Sequence, residues 1–150
     1  MSARTPAIRL HALLACEAFS ARLKAGAVAA ALADGLTDGG APPPDAVELP
    51  PGGGDREAAA WLERESFHTR MLAARAVVVA VPALSADTLA GSAAFEVATL
   101  ARQSGVPCYA VAASVHLNAF DLRILDLQVV LRARGPSGLR STGERLARMV

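Results

Sequence analysis

The run Ala76-Val77-Val78-Val79-Ala80-Val81 decides the architecture. Its six residues are all apolar, and four of them are β-branched. Polar and apolar side chains do not alternate along it, so neither face can be given to water. A strand covered on both faces, as in a parallel sheet between two helical layers, buries such a run. The same logic extends outward in both directions. Upstream, a helical stretch is expected from Asp55 to about Ala74, with Asp55 as its N-cap and Trp61, Leu62, Phe67, Met71 and Leu72 on its buried side. Downstream, Asp87 to Ser104 reads as a helix stopped by Gly105, and Pro107 to Ala113 as a further strand.

Farther out the alternation repeats. Ala12 to Ala15 is a short buried strand, and Leu23, Ala27, Val28, Ala31, Leu32 and Leu36 recur at helical spacing. That helix ends at Asp38-Gly39-Gly40, and Pro42, Pro43 and Pro44 stiffen the loop into a strand at Ala46 to Leu49. At the other end, Ala119 to Asp126 is a short helix and Leu127 to Leu131 a strand. Gly135-Pro136 breaks the chain before a closing helix at Ser137 to Met149. Strands and helices thus alternate five times, the pattern of right-handed crossovers in an α/β domain with a parallel sheet. One domain spans residues 1–150, a size ordinary for a single domain. The Pro- and Gly-rich region between Gly39 and Gly54 reads as loops around one short strand.

Composition narrows the functional classes. Hydrophobic residues make up 53%, enough for a packed core, and only 4% are aromatic, so Ala carries much of the apolar count. With 15 basic and 14 acidic residues there is no cationic excess to neutralise phosphates, and no nucleic-acid partner is expected. The apolar stretches are too short to span a bilayer, and Met1 to Arg9 lacks the pattern of a secretion signal. No membrane partner and a cytoplasmic location are the expectations. Cys16, Cys108, His11, His68 and His116 stand apart, none at metal-ligand spacing.

Three segments, taken in order, carry a resemblance. Ala15-Cys16-Glu17-Ala18-Phe19-Ser20-Ala21-Arg22-Leu23 resembles A-P-D-S-F-K-G-S/T-L, the opening segment of type I glycerate kinases. Ala73 to Leu89, AARAVVVAVPALSADTL, resembles that family's strand and turn, G-A-D-L-V-I-T-G-E-G-R-L-D-x-Q-T-L, without a gap. Gly91 to Ala113 continues it, with Gly91, Val97, Ala98, Ala101, Gly105, Val106 and Pro107 matching. Family members are more than twice as long and carry a second α/β domain inserted into a flavodoxin-like one. The chain resembles the outer domain alone, passing from Gly52-Gly53-Gly54 directly into the Asp55 helix. The resemblance implies a three-layer, flavodoxin-like, doubly wound sheet of five parallel strands in the order 2-1-3-4-5.

It also implies a chemistry: ATP- and magnesium-dependent phosphorylation of glycerate, which needs cations against phosphate and a carboxylate to orient the hydroxyl. The charged positions depart from the family's pattern. Its first Asp falls on Glu17, its Lys on Ser20 and its Gly on Ala21. Its D-G-G-E-G becomes Gly52-Gly53-Gly54-Asp55. Its G-E-G-R-L-D falls on Ala80-Val81-Pro82-Ala83-Leu84-Ser85, and its following Gly-Lys on Gly91-Ser92. Positions that build the fold match, whereas those that perform the chemistry do not.

In a doubly wound sheet the ligand crevice lies beyond the carboxyl ends of the strands where their order reverses. Its walls here are Cys16 to Arg22 and Pro82 to Ser92, with Gly52 to Gly54 at the rim, and helix N-termini near Arg22 and Asp87 would favour anions. Glu17, Ser20, Gly53, Gly54, Ser85, Asp87 and Ser92 are the candidate contacts. Ser85, Thr88 and Ser92 read as helix-capping residues rather than phosphate contacts, and Asp87 suits a cap. No catalytic residue or metal ligand is assigned. The expectation is a catalytically inactive relative, a pseudoenzyme without cofactor that acts as a binding module, self-associating or docking on another protein. The alternative is a small phosphotransferase of the same lineage using ATP and magnesium. A phospho-acceptor receiver is a third option, without the acidic cluster such a role needs.

The implied strand order places Cys16 and Cys108 two sheet spacings apart, about 10 Å, beyond the roughly 7 Å limit for a disulfide. The thiols are therefore expected to stay unlinked, and reduction should leave the mass of the intact monomer unchanged; a gain of two hydrogens would contradict the strand order.

Overall fold

The computed structural model describes residues 11–50, 55–89 and 91–150. The five strands are β1 (Ala12–Cys16), β2 (Asp45–Glu48), β3 (Ala76–Leu84), β4 (Cys108–Val115) and β5 (Val130–Arg132). They form one parallel sheet in the order β2-β1-β3-β4-β5, the doubly wound flavodoxin-like topology. The helices are α1 (Ala25–Asp38), α2 (Asp55–Arg64), α3 (Phe67–Leu72), α4 (Ala86–Leu89), α5 (Ala93–Ser104), α6 (Ala119–Leu125) and α7 (Pro136–Ala147). None of the described helices is long and apolar enough to cross a membrane.

Successive residues of β3 serve opposite cores. Val77, Val79 and Val81 pack with Trp61, Phe67, Met71 and the buried alanines of α5. Ala76, Val78 and Ala80 pack with Val28, Leu32 and Leu36 of α1 and with Leu139 and Leu146 of α7. The second face is lined by smaller residues, and its two helices meet closely. A Cβ on Gly35 would lie 2.0 Å from the Arg140 carbonyl oxygen, and one on Gly143 would lie 2.5 Å from that of Leu32. Gly39 meets the Ala147 methyl in the same way, at 2.6 Å. Spaced four apart, Gly35 of α1 and its C-cap Gly39 meet Gly143 and Ala147 of α7 along a single contact ridge.

The stretch expected as one helix from Asp55 to Ala74 is two helices. Ser66 adopts a left-handed conformation with φ 50° between α2 and α3. Burial is the reason. In a continuous helix Phe67 would sit about 120° around the axis from Trp61, yet both rings face the same core, 5.5 Å apart. The break brings them together, and Trp61 Nε1 donates to the Glu48 carbonyl oxygen at 2.9 Å. Met71, four residues after Phe67, is buried with it, whereas Leu72 is exposed rather than buried as expected. Ala27, expected on the buried side of α1, is exposed as well.

The helix expected from Asp87 is likewise interrupted. Gly91, with φ 103°, separates α4 from α5, and Ser92 caps α5 by accepting from the Phe95 amide at 3.1 Å. Toward the sheet, β3 runs past Val81 to Leu84 despite Pro82. The Glu17 amide donates to the Ala80 carbonyl oxygen, so Ala80 and Pro82 turn their backbone groups toward β1. The missing Pro82 N–H thus falls where β1 has already ended, while the β4 side of the ladder continues through Ala83 and Leu84. β5 begins at Val130 rather than at Leu127, although Gln128 already donates to Cys108.

Cys16 and Cys108 are both free and buried, in the two opposite cores, and burial pushes each thiol up to about 12. On β2, Asp45 accepts from Arg70 Nε at 2.8 Å and from its Nη2, holding α3 against the sheet edge. Those hydrogen bonds hold the Asp45 carboxyl below its ordinary range.

Gly143→Ala forces a methyl into backbone and should destabilise the protein by about 1–3 kcal/mol. Gly138→Ala, on the same helix with 3.7 Å of clearance to Ala133, should instead stabilise it by about 0.5–1 kcal/mol. Urea unfolding of both variants checks the close helix contact; equal effects would exclude it.

Candidate functional site

The end of the β1–β3 ladder leaves an opening at the carboxyl edge of the sheet. Beyond Cys16 the chain turns away at Glu17, while β3 continues, so the two strands part. The cleft between them has a volume of about 240 Å³ and is lined by Glu17, Val81, Pro82, Ala83, Ser85 and Asp87, with Thr88 and Ser92 behind. It lies where the strand order reverses, as the topology requires of a ligand crevice.

Glu17, Ser85, Asp87 and Ser92 are brought together by the fold. Ser20 is not among them. It lies exposed in the loop before α1, and its Oγ accepts from the amides of Arg22 and Leu23 at 3.2 and 3.1 Å. Its hydroxyl closes the loop. Gly53 and Gly54, with Gly52, lie outside the described residues.

The hydroxyls at the cleft are tied to their own backbone. Ser92 Oγ accepts from Phe95 and donates to the Thr88 carbonyl oxygen at 2.9 Å. Thr88 Oγ1 accepts from the Ser85 amide at 3.0 Å and donates to the Ala83 carbonyl oxygen at 3.3 Å. Thr88 thereby supplies the reciprocal half of a capping box for α4. Asp87, expected as a cap, lies exposed within α4 instead. Of the two expected helix N-termini, the first is displaced and the second belongs to a very short helix. α1 begins at Ala25, not near Arg22, and α4 has four residues, too few to develop a useful dipole.

Charge at the cleft is acidic. Glu17 and Asp87 are its ionisable residues among those described, and no described arginine or lysine lines it. Glu17 is half-buried, and desolvation raises its carboxyl pKa above the ordinary value. Glu48 stands at the end of β2, next to β1. One of its carboxylate oxygens lies within 3.3 Å of the position a Gly26 Cβ would take, against the first turn of α1. The amide end of that helix therefore already faces an anion belonging to the protein. No local pattern in the sequence marks this placement, which follows from the pairing of β2 with β1. Among the described residues, no three of His, Cys, Asp and Glu gather as a metal-binding group. A nucleoside triphosphate in this cleft would meet two carboxylates and, among the described residues that line it, no side-chain cation.

Comparison with known proteins adds no relative: no family model matches the chain, and no curated protein does.

The raised Glu17 pKa has a signed consequence. Its contribution to stability is full below the unfolded value, near 4.5, and is lost as pH rises through the higher folded value. Glu17→Gln should therefore gain stability relative to the parent between acid and neutral pH. Unfolding free energies across that range check this, and a pH-independent difference would contradict the burial of the carboxylate.

Proposed function

We propose that the chain is a glycerate-kinase-like domain that has lost phosphotransfer and acts as a binding or interaction module. The observation that carries this reading is the charge of the cleft. Val81 and Ala83 line it at the positions where the resemblance calls for Glu and Arg. Neither side chain can accept a proton or stabilise a transferring phosphoryl group. Ser20 and Ser92, at the two Lys-equivalent positions, spend their hydroxyls on backbone. Glu48 holds a negative charge against the amide end of α1. Each feature opposes the triphosphate, and groups that act as a unit fail together when several are gone. The apolar positions shared with the family keep the sheet and its helices, so what is retained is a scaffold able to self-associate or dock on another protein.

A second reading, a phosphotransferase with a rearranged site, draws on Glu17. A half-buried carboxylate with a raised pKa, placed in a cleft, is the kind of group that serves as a general base.

The two readings separate in one assay. With ATP, magnesium and glycerate, turnover is expected at least about a thousandfold below the roughly 1–100 s⁻¹ usual of kinases. Phosphoglycerate formation at an ordinary kinase rate, abolished in Glu17→Gln, would establish the second reading.

A further inference from the structure

A second cleft, of about 380 Å³, opens at the carboxyl ends of β4 and β5, on the far side of β3 from Glu17. Its polar side chains are Ser114, His116, Arg132 and Arg134. Strand register explains their meeting. Arg132 pairs with Ala112, and Ala112 faces the core beneath α5 along with Cys108 and Ala110. Side chains alternate along a strand, so Ser114 continues that face of β4, and Arg134, two residues past Arg132 and just beyond β5, lines the same cleft. The intervening Leu131 and Ala133 turn the other way, into the core beneath α1 and α7. The helical layer stops short of this corner. Ser114 is half-buried, and His116, Arg132 and Arg134 are exposed.

The cleft is basic without internal compensation. No carboxylate of the described residues lines it. The ion pairs among the described residues engage Arg70 and Arg140, and neither Arg132 nor Arg134 takes part in one. α7 begins two residues beyond Arg134, with Gly135 as an N-cap that offers no side chain to its amides. Two guanidinium forks, an imidazole and a hydroxyl on adjacent strand ends suit a tetrahedral dianion better than a single carboxylate. Arginine presents paired N–H donors in the geometry of phosphate oxygens, and several such donors are needed to match a double charge.

We infer that the β4–β5 cleft binds the phosphate group of a phosphomonoester through Arg132 and Arg134, with Ser114 and His116 completing the site. The inference does not rest on the glycerate-kinase reading, because the two clefts share no residue.

Amide shifts of the full chain, recorded at constant ionic strength, provide the test. Inorganic phosphate and then phenyl phosphate should produce saturable shifts at residues 113–116 and 132–138, with residues 81–92 unmoved. Arg132→Gln and Arg134→Gln should each weaken binding about tenfold, the scale of one charge-assisted hydrogen bond. Arg134→Lys, which keeps the charge and loses the fork, should fall between. Both arginines are exposed, so the variants keep the fold, and unchanged spectra elsewhere verify it. Linear, unsaturable shifts, an affinity unaltered in the double variant, or perturbation confined to residues 81–92 would each overturn the site. The last outcome would point to the β1–β3 cleft and leave the kinase assay to judge the other reading.

Discussion

The central strand has no face to give to water, and the rest of the molecule answers to that. Residues Ala76 to Val81 are buried on both sides, so helices must cover both faces of the sheet. A sheet of parallel strands needs a crossover between each pair, and right-handed crossovers deliver those helices. Which residues alternate then decides how closely each layer approaches. Three valines of β3 face the α2–α6 side, where aromatic side chains fill the space. Two alanines and one valine face α1 and α7. Those helices approach until Gly35 and Gly143 meet backbone to backbone, because any larger residue would hold them off the shallower face.

The same strand makes the cleft. Pro82 withholds its amide on the β1 side just where β1 ends, so nothing draws the two chains onward together. β3 continues with β4 alone, and Glu17 turns away. The opening is therefore a property of backbone hydrogen bonding, retained whatever side chains line it. A fold can keep the place of a ligand site while its chemistry is gone, which is why site residues, rather than topology, must carry any functional argument.

The sheet was legible in the sequence because burial on both faces leaves an unbroken apolar run, as in Ala76 to Val81. Strand order was not written in any local pattern; it came from the family resemblance. What escaped was local geometry set by distant partners. The Ser66 break exists because Trp61 and Phe67 share one core, a demand that propensity at Glu65 and Ser66 does not display. The interruption at Gly91 was hidden by a helical pattern on both sides of it. At the candidate site, residue types were legible and their employment was not. Ser20, Ser92 and Thr88 are ordinary hydroxyls until the backbone amides they satisfy are seen. Glu48 acquires its role against α1 only when β2 is laid beside β1.

Charge along the carboxyl edge of the sheet is uneven although the chain as a whole is near neutral, with a formal charge of +1. Glu17 and Asp87 line the β1–β3 opening, and Arg132, Arg134 and His116 the β4–β5 opening. The two groups are separated by β3 and β4 themselves. An anion approaching this edge meets repulsion at one end and attraction at the other, and a cleft with low-dielectric walls concentrates both. The direction of that field is opposite to what a phosphate-binding switch point needs. A ligand bearing phosphate is driven toward β5, away from the place where the topology alone would put it. In this molecule side-chain charge, not strand order, selects the end of the sheet at which an anion settles.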